Sequence, residues 1–376
     1  MAGTPSNTSP RWPLRDRVPV SHQPLAGVAL ASPRPVPMRY IGNKTKLLAF
    51  LTTKIRQLGI EPGVAHDAFA GTAAVGRALK AEGWRVHSSD LMTYSYVMQR
   101  ALVVASRTPR LETLARRLTS DVAGGDGFFA RNFGPAGGRM YFTDDNARRI
   151  DGARTALDAW RRSGEIADDA YYVLLAGIIE GADRVANTAG VYAAYIKKWQ
   201  PNALKPFAVV TDAPIRSRLR CRAYQADARD VARELGKIDL LYVDPPYNTR
   251  QYAGYYHVPE LIARGWFDEA VALRGKTGLI ADGDQRSEWC SRRRAPDALR
   301  ALLEATGARH ALVSYNTEGV IDDRDFRAIL ADAAVDGRVR RFTKRYKRYR
   351  ADSDREGRRY KSDVVRELLY YARLRR

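Results

Sequence analysis

Ile238-Asp-Leu-Leu-Tyr-Val-Asp-Pro-Pro-Tyr-Asn248 is a mostly apolar run that stops abruptly at an acidic residue and two prolines. A short apolar run bounded by a turn predicts a buried β-strand, here over Ile238–Val243. Prolines donate no backbone hydrogen bond and restrict the chain, so the backbone directly after Asp244 is expected to be rigid. A strand that simply ends in a proline turn at a sheet edge is the alternative interpretation.

Rigidity at this point suits chemistry on an exocyclic aromatic amine. Such an amine is a poor nucleophile because its lone pair is delocalised into the ring. The Asp244 carboxylate and the Pro245 carbonyl can accept both amine hydrogens and favour a pyramidal nitrogen, while Pro246 stiffens the turn. Tyr247 can stack on the face of a base. These four residues are therefore the candidate catalytic residues.

A second motif, Asp67-Ala-Phe-Ala-Gly-Thr-Ala-Ala-Val-Gly76, joins a predicted strand over Val64–Phe69 to a predicted helix over 73–82. Its small residues let the backbone approach a ligand, and the helix N-terminus offers N–H groups to a carboxylate. Asp90, after a predicted strand over Arg85–Ser89, can accept both hydroxyls of a ribose. Because the loop lacks G-x-G-x-x-G, it favours S-adenosylmethionine over a dinucleotide. A purely structural strand–turn–helix unit is the alternative.

These motifs belong to a βαβ pattern, which predicts a doubly wound α/β sheet. An amphipathic helix is predicted over 44–58, and strands return at 222–226, 238–243 and 311–314. Eight of the 18 prolines lie in residues 1–37, which predicts a disordered segment there. The predicted segments are a disordered Pro-rich extension (1–37), a cofactor-binding part of the catalytic domain (38–93), a helical insertion (94–220) and a second catalytic part with a basic C-terminal region (221–376).

The composition is strongly basic. The 63 Lys and Arg residues exceed the 42 Asp and Glu residues and give a net charge of +21. Such a surplus favours a polyanionic partner, although an Arg-rich proteome or a solvated basic face also produces it. Cys221 and Cys290 lack a metal-ligand spacing, so no metal site is expected. No apolar run is long enough to span a bilayer and no signal-peptide pattern is present, so we expect a cytoplasmic protein without a membrane partner.

With both motifs in place, the chain resembles the D12 class of adenine-specific DNA methyltransferases, which is related to Dam. Motif order matches as well, because Arg39-Tyr-Ile-Gly-Asn-Lys44 precedes the loop, and the Asp-Pro-Pro-Tyr motif follows an insertion. The resemblance extends over residues 38–370. Further matching segments are Val185-Ala-Asn-Thr188, Gln251-Tyr252 with Tyr256-His257, Ser314-Tyr-Asn-Thr-Glu-Gly319 and Tyr346-Lys-Arg-Tyr349.

The resemblance implies a Rossmann-like, S-adenosylmethionine-dependent enzyme that methylates N6 of an adenine flipped out of duplex DNA. It also implies that the helical insertion serves target recognition. The loop has Ala where a second Gly is often present in the family. The implied cofactor-binding residues are Tyr40 and Lys44 at the border of the cofactor, Asp67, Phe69 and Gly71 at its methionine end, Asp90 at its ribose and Asp227 beside its adenine.

Double-stranded DNA is then the expected partner, with a cognate restriction endonuclease as a candidate functional partner and a monomer as the expected state. The segment 338–350 holds eight Lys or Arg residues interleaved with aromatic residues. It predicts contact with a nucleic-acid backbone, with a solvated basic face as the alternative. Lys197-Lys198-Trp199 is a second candidate for contact with DNA. His257 is expected to be a hydrogen-bonding pocket residue rather than a catalytic base.

Three other functions are weighed against this one. An RNA adenine or cytosine-N4 methyltransferase would use related motifs, but Asp244 favours adenine and the long insertion favours duplex DNA. A non-catalytic DNA-binding module would not need the intact Asp-Pro-Pro-Tyr motif. A nicotinamide-dependent oxidoreductase would need the dinucleotide loop that this sequence lacks.

Overall fold

A computed structural model of the protein describes residues 38–106, 108–267, 270–281, 283–317, 319–347 and 364–375. The predicted Pro-rich extension (1–37) and the end of the basic segment (348–350) lie outside the described residues. The described strands are β1 (Val64–Asp67), β2 (Arg85–Asp90), β3 (Arg222–Gln225), β4 (Lys237–Val243), β5 (Gly307–Asn316), β6 (Ala334–Lys347) and β7 (Val364–Leu374). The described α-helices are α1 (Leu48–Gln57), α2 (Ala74–Ala81), α3 (Thr93–Gln99), α4 (Leu111–Arg116), α5 (Phe128–Phe133), α6 (Asp144–Arg162), α7 (Asp168–Val185), α8 (Ala228–Leu235), α9 (Tyr252–Tyr255), α10 (His257–Arg264), α11 (Ala295–Ala305) and α12 (Asp323–Ala333).

The strands form one mixed sheet in the order β3-β2-β1-β4-β5-β7-β6. Neighbouring strands from β3 to β5 are parallel, whereas β7 is antiparallel to both β5 and β6. After β1 the chain adds β2 and β3 on one side of the sheet, whereas after β4 it adds β5 on the other side. Ligand clefts form at such a reversal, beyond the carboxyl ends of the strands. The predicted Rossmann-like α/β sheet is therefore confirmed.

The predicted elements agree with the structure in type and differ at their ends. The helix predicted over 44–58 begins with a 3-10 turn at Thr45–Leu47 and continues as α1. β5 runs over Gly307–Asn316 rather than 311–314. The basic segment forms most of β6, whose Lys and Arg side chains up to residue 345 are exposed. The fourth residue after β1, Gly71, has a φ of +51°, so the loop turns through a conformation that side chains other than glycine rarely adopt.

Both faces of the sheet are covered, because successive side chains of a strand point to opposite faces. Leu240 and Tyr242 of β4 lie in a core shared with α2, α3, α6, α7 and α10. Leu241 and Val243 lie in a second core, shared with α8, α11 and α12. This burial on both sides explains why the strand that leads to Asp244 is almost continuously apolar.

Helices α3 to α7 occupy the stretch between β2 and β3, and their apolar side chains belong to the first of these cores. Asn187 fixes the loop that follows α7. Its side chain donates to the carbonyl oxygens of Met140 and Ile196 and accepts from the N–H of Gln200, and it is fully buried. No helix in the described part of the chain is long and apolar enough to cross a membrane.

Candidate active site

A cleft of about 730 Å³ opens at the carboxyl ends of β1 and β4, where the strand order reverses. The loops after β1, β2, β3 and β4 meet there, together with the segment that precedes α1. All eleven residues predicted from the sequence line this cleft. They are Tyr40, Lys44, Asp67, Phe69, Gly71, Asp90, Asp227, Asp244, Pro245, Pro246 and Tyr247.

The loop after β1 is held by Asp90 at the end of β2. One carboxylate oxygen of Asp90 accepts the N–H of Gly71 at 2.9 Å and the other accepts the N–H of Met92 at 3.0 Å. Burial raises the pKa of Asp90, while these N–H donors oppose the rise. A Cβ on Gly71 would lie 3.0 Å from the Tyr40 ring, so the loop and the ring approach each other closely only because residue 71 has no side chain.

Asp67, the last residue of β1, lies beneath this loop. Its Oδ2 accepts the N–H of Gly76 in α2 at 2.9 Å, and its Oδ1 has no hydrogen-bond partner among the described residues. Burial, with a further contribution from the charge of Asp244, raises the pKa of Asp67 to about 7. A buried carboxylate oxygen without a donor favours a ligand that brings positive charge.

Lys44 is the cation closest to Asp244. Its Nζ lies 2.9 Å from Asp244 Oδ1 and 2.8 Å from Glu367 Oε1, with the Lys44 side chain 7% exposed. Burial lowers the pKa of Lys44, but the two carboxylates outweigh it and hold that pKa well above its ordinary value. Burial raises the pKa of Asp244 to about 7. The charge of Glu367 adds to this rise, whereas Lys44 opposes it. One ammonium is thus shared between two carboxylates.

Aromatic side chains form one wall of the cleft. Tyr40 stacks on Tyr256 with ring centroids 4.7 Å apart, and Tyr252 lies 5.6 Å from Tyr40. The Tyr256 hydroxyl accepts the N–H of Ile41 at 2.7 Å. The matching segments around residues 40, 252 and 256 therefore meet in space, and they orient the backbone between Tyr40 and Lys44.

The sequence did not reveal the wall contributed by residues 285–289. Trp289 packs edge-on against Phe69, with ring centroids 5.0 Å apart. Gln251 anchors this wall through two hydrogen bonds with the Ser287 backbone, at 3.0 and 2.8 Å. A lone Trp more than forty residues after Asp244 carries no motif that predicts it, so its place in the cleft follows only from the fold.

Asp227 lies in the cleft as predicted, but its carboxylate is already engaged. It accepts the backbone N–H of Arg229 at the start of α8 and two N–H groups of the Arg229 guanidinium. Burial raises the pKa of Asp227, but Arg229 outweighs it and the pKa lies below its ordinary value. Arg229 also pairs with Glu288, at 3.2 Å. Any further contact to Asp227 therefore uses a remaining lone pair of an ionised carboxylate.

His257 makes a hydrogen bond, as predicted, but its predicted place in the pocket is wrong. It is fully buried at the start of α10, where Nε2 donates to the Thr277 carbonyl at 2.9 Å and the ring packs near Phe133 and Tyr141. Burial lowers the pKa of His257 to about 4, so it is neutral and contributes to the core. Lys197 and Lys198 are exposed and are not among the residues that line the cleft.

Metal-binding groups are not found among the described residues, where no three His, Cys, Asp or Glu side chains are arranged to hold an ion. Both cysteines are buried as free thiols. The groups that line the cleft are carboxylates, the Lys44 ammonium, backbone carbonyls, aromatic rings and the guanidinium groups of Arg229, Arg264 and Arg286.

The model of the D12 class N6 adenine-specific DNA methyltransferase family matches residues 40–280. Type II methyltransferase M.NlaIII of Neisseria lactamica is 34% identical over 353 residues, which cover 89% of this chain and 98% of that protein. M.CviAII of Paramecium bursaria Chlorella virus 1 is 32% identical and is covered over 97% of its length. M.FokI of Planomicrobium okeanokoites is 30% identical, and the chain spans about half of it, 52%. No solved structure matches the chain significantly.

Replacing Lys44 by Met leaves the Asp244 and Glu367 carboxyl groups buried together without their cation. We expect a loss of about 3–5 kcal/mol in the free energy of unfolding at about pH 8, which is above the raised pKa of Asp244. Asp244 already has a pKa raised to about 7. A buried carboxyl group with a raised pKa stabilises the fold below that pKa, where it is protonated, and this stabilisation disappears as the pH rises through the pKa. The destabilisation caused by Lys44→Met is therefore expected to be smaller at about pH 5.5 than at about pH 8. Urea denaturation at both pH values measures the difference.

The matched control is Lys237→Met, at the opposite end of β4, where the lysine is exposed. Its effect is expected to stay within about 0.5 kcal/mol at either pH. A Lys44→Met loss of equal size at the two pH values would contradict the charge pairing described here.

Proposed function

Because the chain belongs to the D12 class N6 adenine-specific DNA methyltransferase family, we propose that it transfers a methyl group from S-adenosylmethionine to N6 of an adenine flipped out of duplex DNA. One observation carries the proposal. The residues of the loop after β1 and the Asp-Pro-Pro-Tyr turn after β4 line a single cleft. A methyl donor and a base held there lie side by side at the reversal point of the sheet.

The cleft suits a positively charged ligand. Burial raises the pKa of each of the three acidic residues Asp67, Asp90 and Asp244. Positive charge stabilises their ionised forms, whereas the pyrophosphate of a dinucleotide would be repelled. S-adenosylmethionine carries a sulfonium and an ammonium. The cleft volume of about 730 Å³ is also within the usual range for small-molecule sites, about 300–1,000 Å³.

The residues of the cleft divide into those that hold the cofactor and those that hold the base. The absence of a side chain at Gly71 lets the loop approach the Tyr40 ring, since a Cβ there would lie 3.0 Å from that ring, and this brings two of the assigned cofactor contacts together. When bound, the cofactor supplies a methyl group activated by its sulfonium. The assigned cofactor contacts are Asp67, Phe69 and Gly71 at the methionine end, Asp90 at the ribose, Asp227 beside the adenine, and Tyr40 and Lys44 at the border.

Asp244 and Pro245 act on the target base. The Asp244 carboxylate and the Pro245 carbonyl accept the two N6 hydrogens, so the lone pair becomes localised on nitrogen, while Tyr247 stacks on the ring. The N6 lone pair forms the new N–C bond as the C–S bond of the donor breaks. One N6 proton then passes by way of the Asp244 carboxylate to water. Catalysis therefore comes from positioning and preorganised charge.

The hairpin of β6 and β7 supplies a DNA-facing surface. Pairing of β5 with β7 ends at Asn316 and Glu367, but pairing of β6 with β7 continues for three more residue pairs, to Lys347 and Val364. The hairpin therefore extends about 10 Å beyond β5 at the edge that carries the cleft. Exposed Lys344 and Arg345 lie at this end, on opposite faces of the strand, and are assigned to phosphates of the bound DNA.

The helical stretch 94–220 is assigned to target recognition, with exposed Lys197 and Lys198 as candidate contacts. M.NlaIII, M.FokI and M.CviAII are named type II methyltransferases, and the relatives from Streptococcus sanguinis and Lactococcus lactis are named modification methylases. These names support a restriction–modification role here, with a restriction endonuclease as functional partner. The enzyme then acts as a cytoplasmic monomer.

The catalytic assignment is tested by Asp244→Asn, which keeps the size of the side chain and removes its charge. Transfer of a radiolabelled methyl group from S-adenosylmethionine to unmethylated duplex DNA is measured, followed by digestion to nucleosides. With the wild type the label is recovered in N6-methyldeoxyadenosine. The rate of the variant is expected to be lower by a factor of about 10²–10³, because one preorganised polar contact contributes on that scale. Asp297→Asn, an exposed change on α11, serves as the control and keeps the wild-type rate. Label in cytosine or RNA alone, or full activity of Asp244→Asn, contradicts the assignment.

The hairpin surface is tested by two double variants on the same strand. Lys344→Gln with Arg345→Gln removes two charges at the cleft end of β6, and Arg338→Gln with Arg340→Gln removes two at the far end. The logarithm of the DNA association constant falls linearly with the logarithm of the salt concentration. We expect the variant at the cleft end to make this slope shallower by about 2, since each lost phosphate contact changes the slope by about 0.9. The far-end variant leaves the slope unchanged. Equal slopes for the two variants in a DNA-binding titration would remove the hairpin from the interface.

A further inference from the structure

Glu367 is a buried charge that the proposed methyl-transfer step does not use directly. It lies on β7, with its side chain 3% exposed. The described residues that line the cleft include Lys44 and Asp244 but not Glu367. Its side chain instead borders a small apolar void formed with Leu47, Leu51 and Leu369. Burying an ionised carboxylate is costly unless it is paired, so this charge requires a reason.

The partners of Glu367 are two specific donors. Its Oε1 accepts the Ser314 hydroxyl at 2.6 Å and lies 2.8 Å from Lys44 Nζ. Ser314 is on β5 and Lys44 precedes α1, so the carboxylate joins three parts of the chain that are distant in sequence. Lys44 has its second carboxylate contact, at 2.9 Å, with Asp244.

We propose that Glu367 is a positioning residue for methyl transfer, which holds the Lys44 ammonium beside Asp244 and keeps part of its charge away from that carboxylate. This inference rests on the proposed function. A lysine paired with Asp244 alone would neutralise the carboxylate that must accept the N6 hydrogens. Sharing the ammonium with Glu367 leaves Asp244 with more negative charge, so it is a stronger acceptor for the target amine.

The charge balance around Asp244 supports the same conclusion. Burial raises the pKa of Asp244, Lys44 lowers it and the charge of Glu367 raises it. Removing Glu367 would therefore lower the pKa of Asp244 and weaken it as an acceptor. Among the residues that the structure describes, the titratable groups that interact electrostatically with Asp244 are Lys44 before α1, Asp67 on β1, Tyr242 on β4, Tyr252 on α9 and Glu367 on β7.

A purely structural tie is the competing explanation, in which Glu367 only fastens the segment before α1 to the sheet. Glu367→Gln separates the two explanations because the amide keeps the size of the side chain and an oxygen that can accept from Lys44 and Ser314. A structural tie would survive this change. The charge effect on Asp244 would not.

The experiment measures single-turnover methyl transfer to duplex DNA across a pH series for wild type, Glu367→Gln, Glu367→Asp and Glu304→Gln. For Glu367→Gln we expect a rate about ten- to a hundredfold lower on the alkaline plateau and an acid limb displaced by about one pH unit to lower pH. Glu367→Asp keeps the charge, so its acid limb stays at the wild-type pH although its rate falls. Glu304, exposed on α11, is the matched control, and its variant follows wild type throughout.

Wild-type labelling with an unchanged rate and pH profile in Glu367→Gln would overturn this inference and leave the proposed function standing. Displacement of the acid limb to the same extent in Glu367→Asp would also overturn it, because the shift would then not follow the charge. Absence of N6-methyldeoxyadenosine with the wild-type protein would overturn the proposed function and this inference together.

Discussion

The sharing of one buried ammonium between two carboxylates determines how the site is assembled. Lys44 is held 2.9 Å from Asp244 and 2.8 Å from Glu367, so it joins the end of β4 to β7 through a residue that precedes the first helix. Each of these charges would be costly to bury alone. The segment from Tyr40 to Lys44 is thereby placed over the mouth of the sheet, where Tyr40 meets the loop at Gly71. Parallel pairing of β1 with β4 places their two loops side by side, and the Lys44 contact fastens the segment before α1 to them.

A basic protein thus carries an acidic cleft. The net charge of +21 favours approach to a polyanion, whereas Asp67, Asp90 and Asp244 favour a cation at the reversal point of the sheet. These opposite preferences belong to different residues, because the exposed Lys and Arg residues of β6 are not among the residues that line the cleft, whereas the three carboxylates are. A methyltransferase acting on DNA needs both, since its donor is cationic and its acceptor is anionic.

The sequence allowed prediction of those parts of the site whose geometry is local. The strand before Asp244 and the loop after Asp67 are each defined by neighbours in the chain, so apolar runs, prolines and small residues were sufficient to place them. Trp289 and Glu367 could not be predicted in this way. Trp289 reaches Phe69 only because the loop 285–289 folds back on the cleft, and Glu367 reaches Lys44 only because β7 is inserted antiparallel between β5 and β6. Neither position carries a local motif. For His257 the sequence suggested too much: the tyrosines that precede it indicated a pocket residue, but the side chain is buried in the core.

The position of the target base is best determined by a ternary crystal structure of the enzyme with S-adenosylhomocysteine and a duplex that contains the unmethylated recognition sequence. We expect an extrahelical adenine whose N6 lies within hydrogen-bond distance, about 3 Å, of both the Asp244 carboxylate and the Pro245 carbonyl oxygen, with Lys44 still bound to Asp244. An adenine that remains stacked in the duplex, or an extrahelical base held away from Asp244, would contradict this expectation.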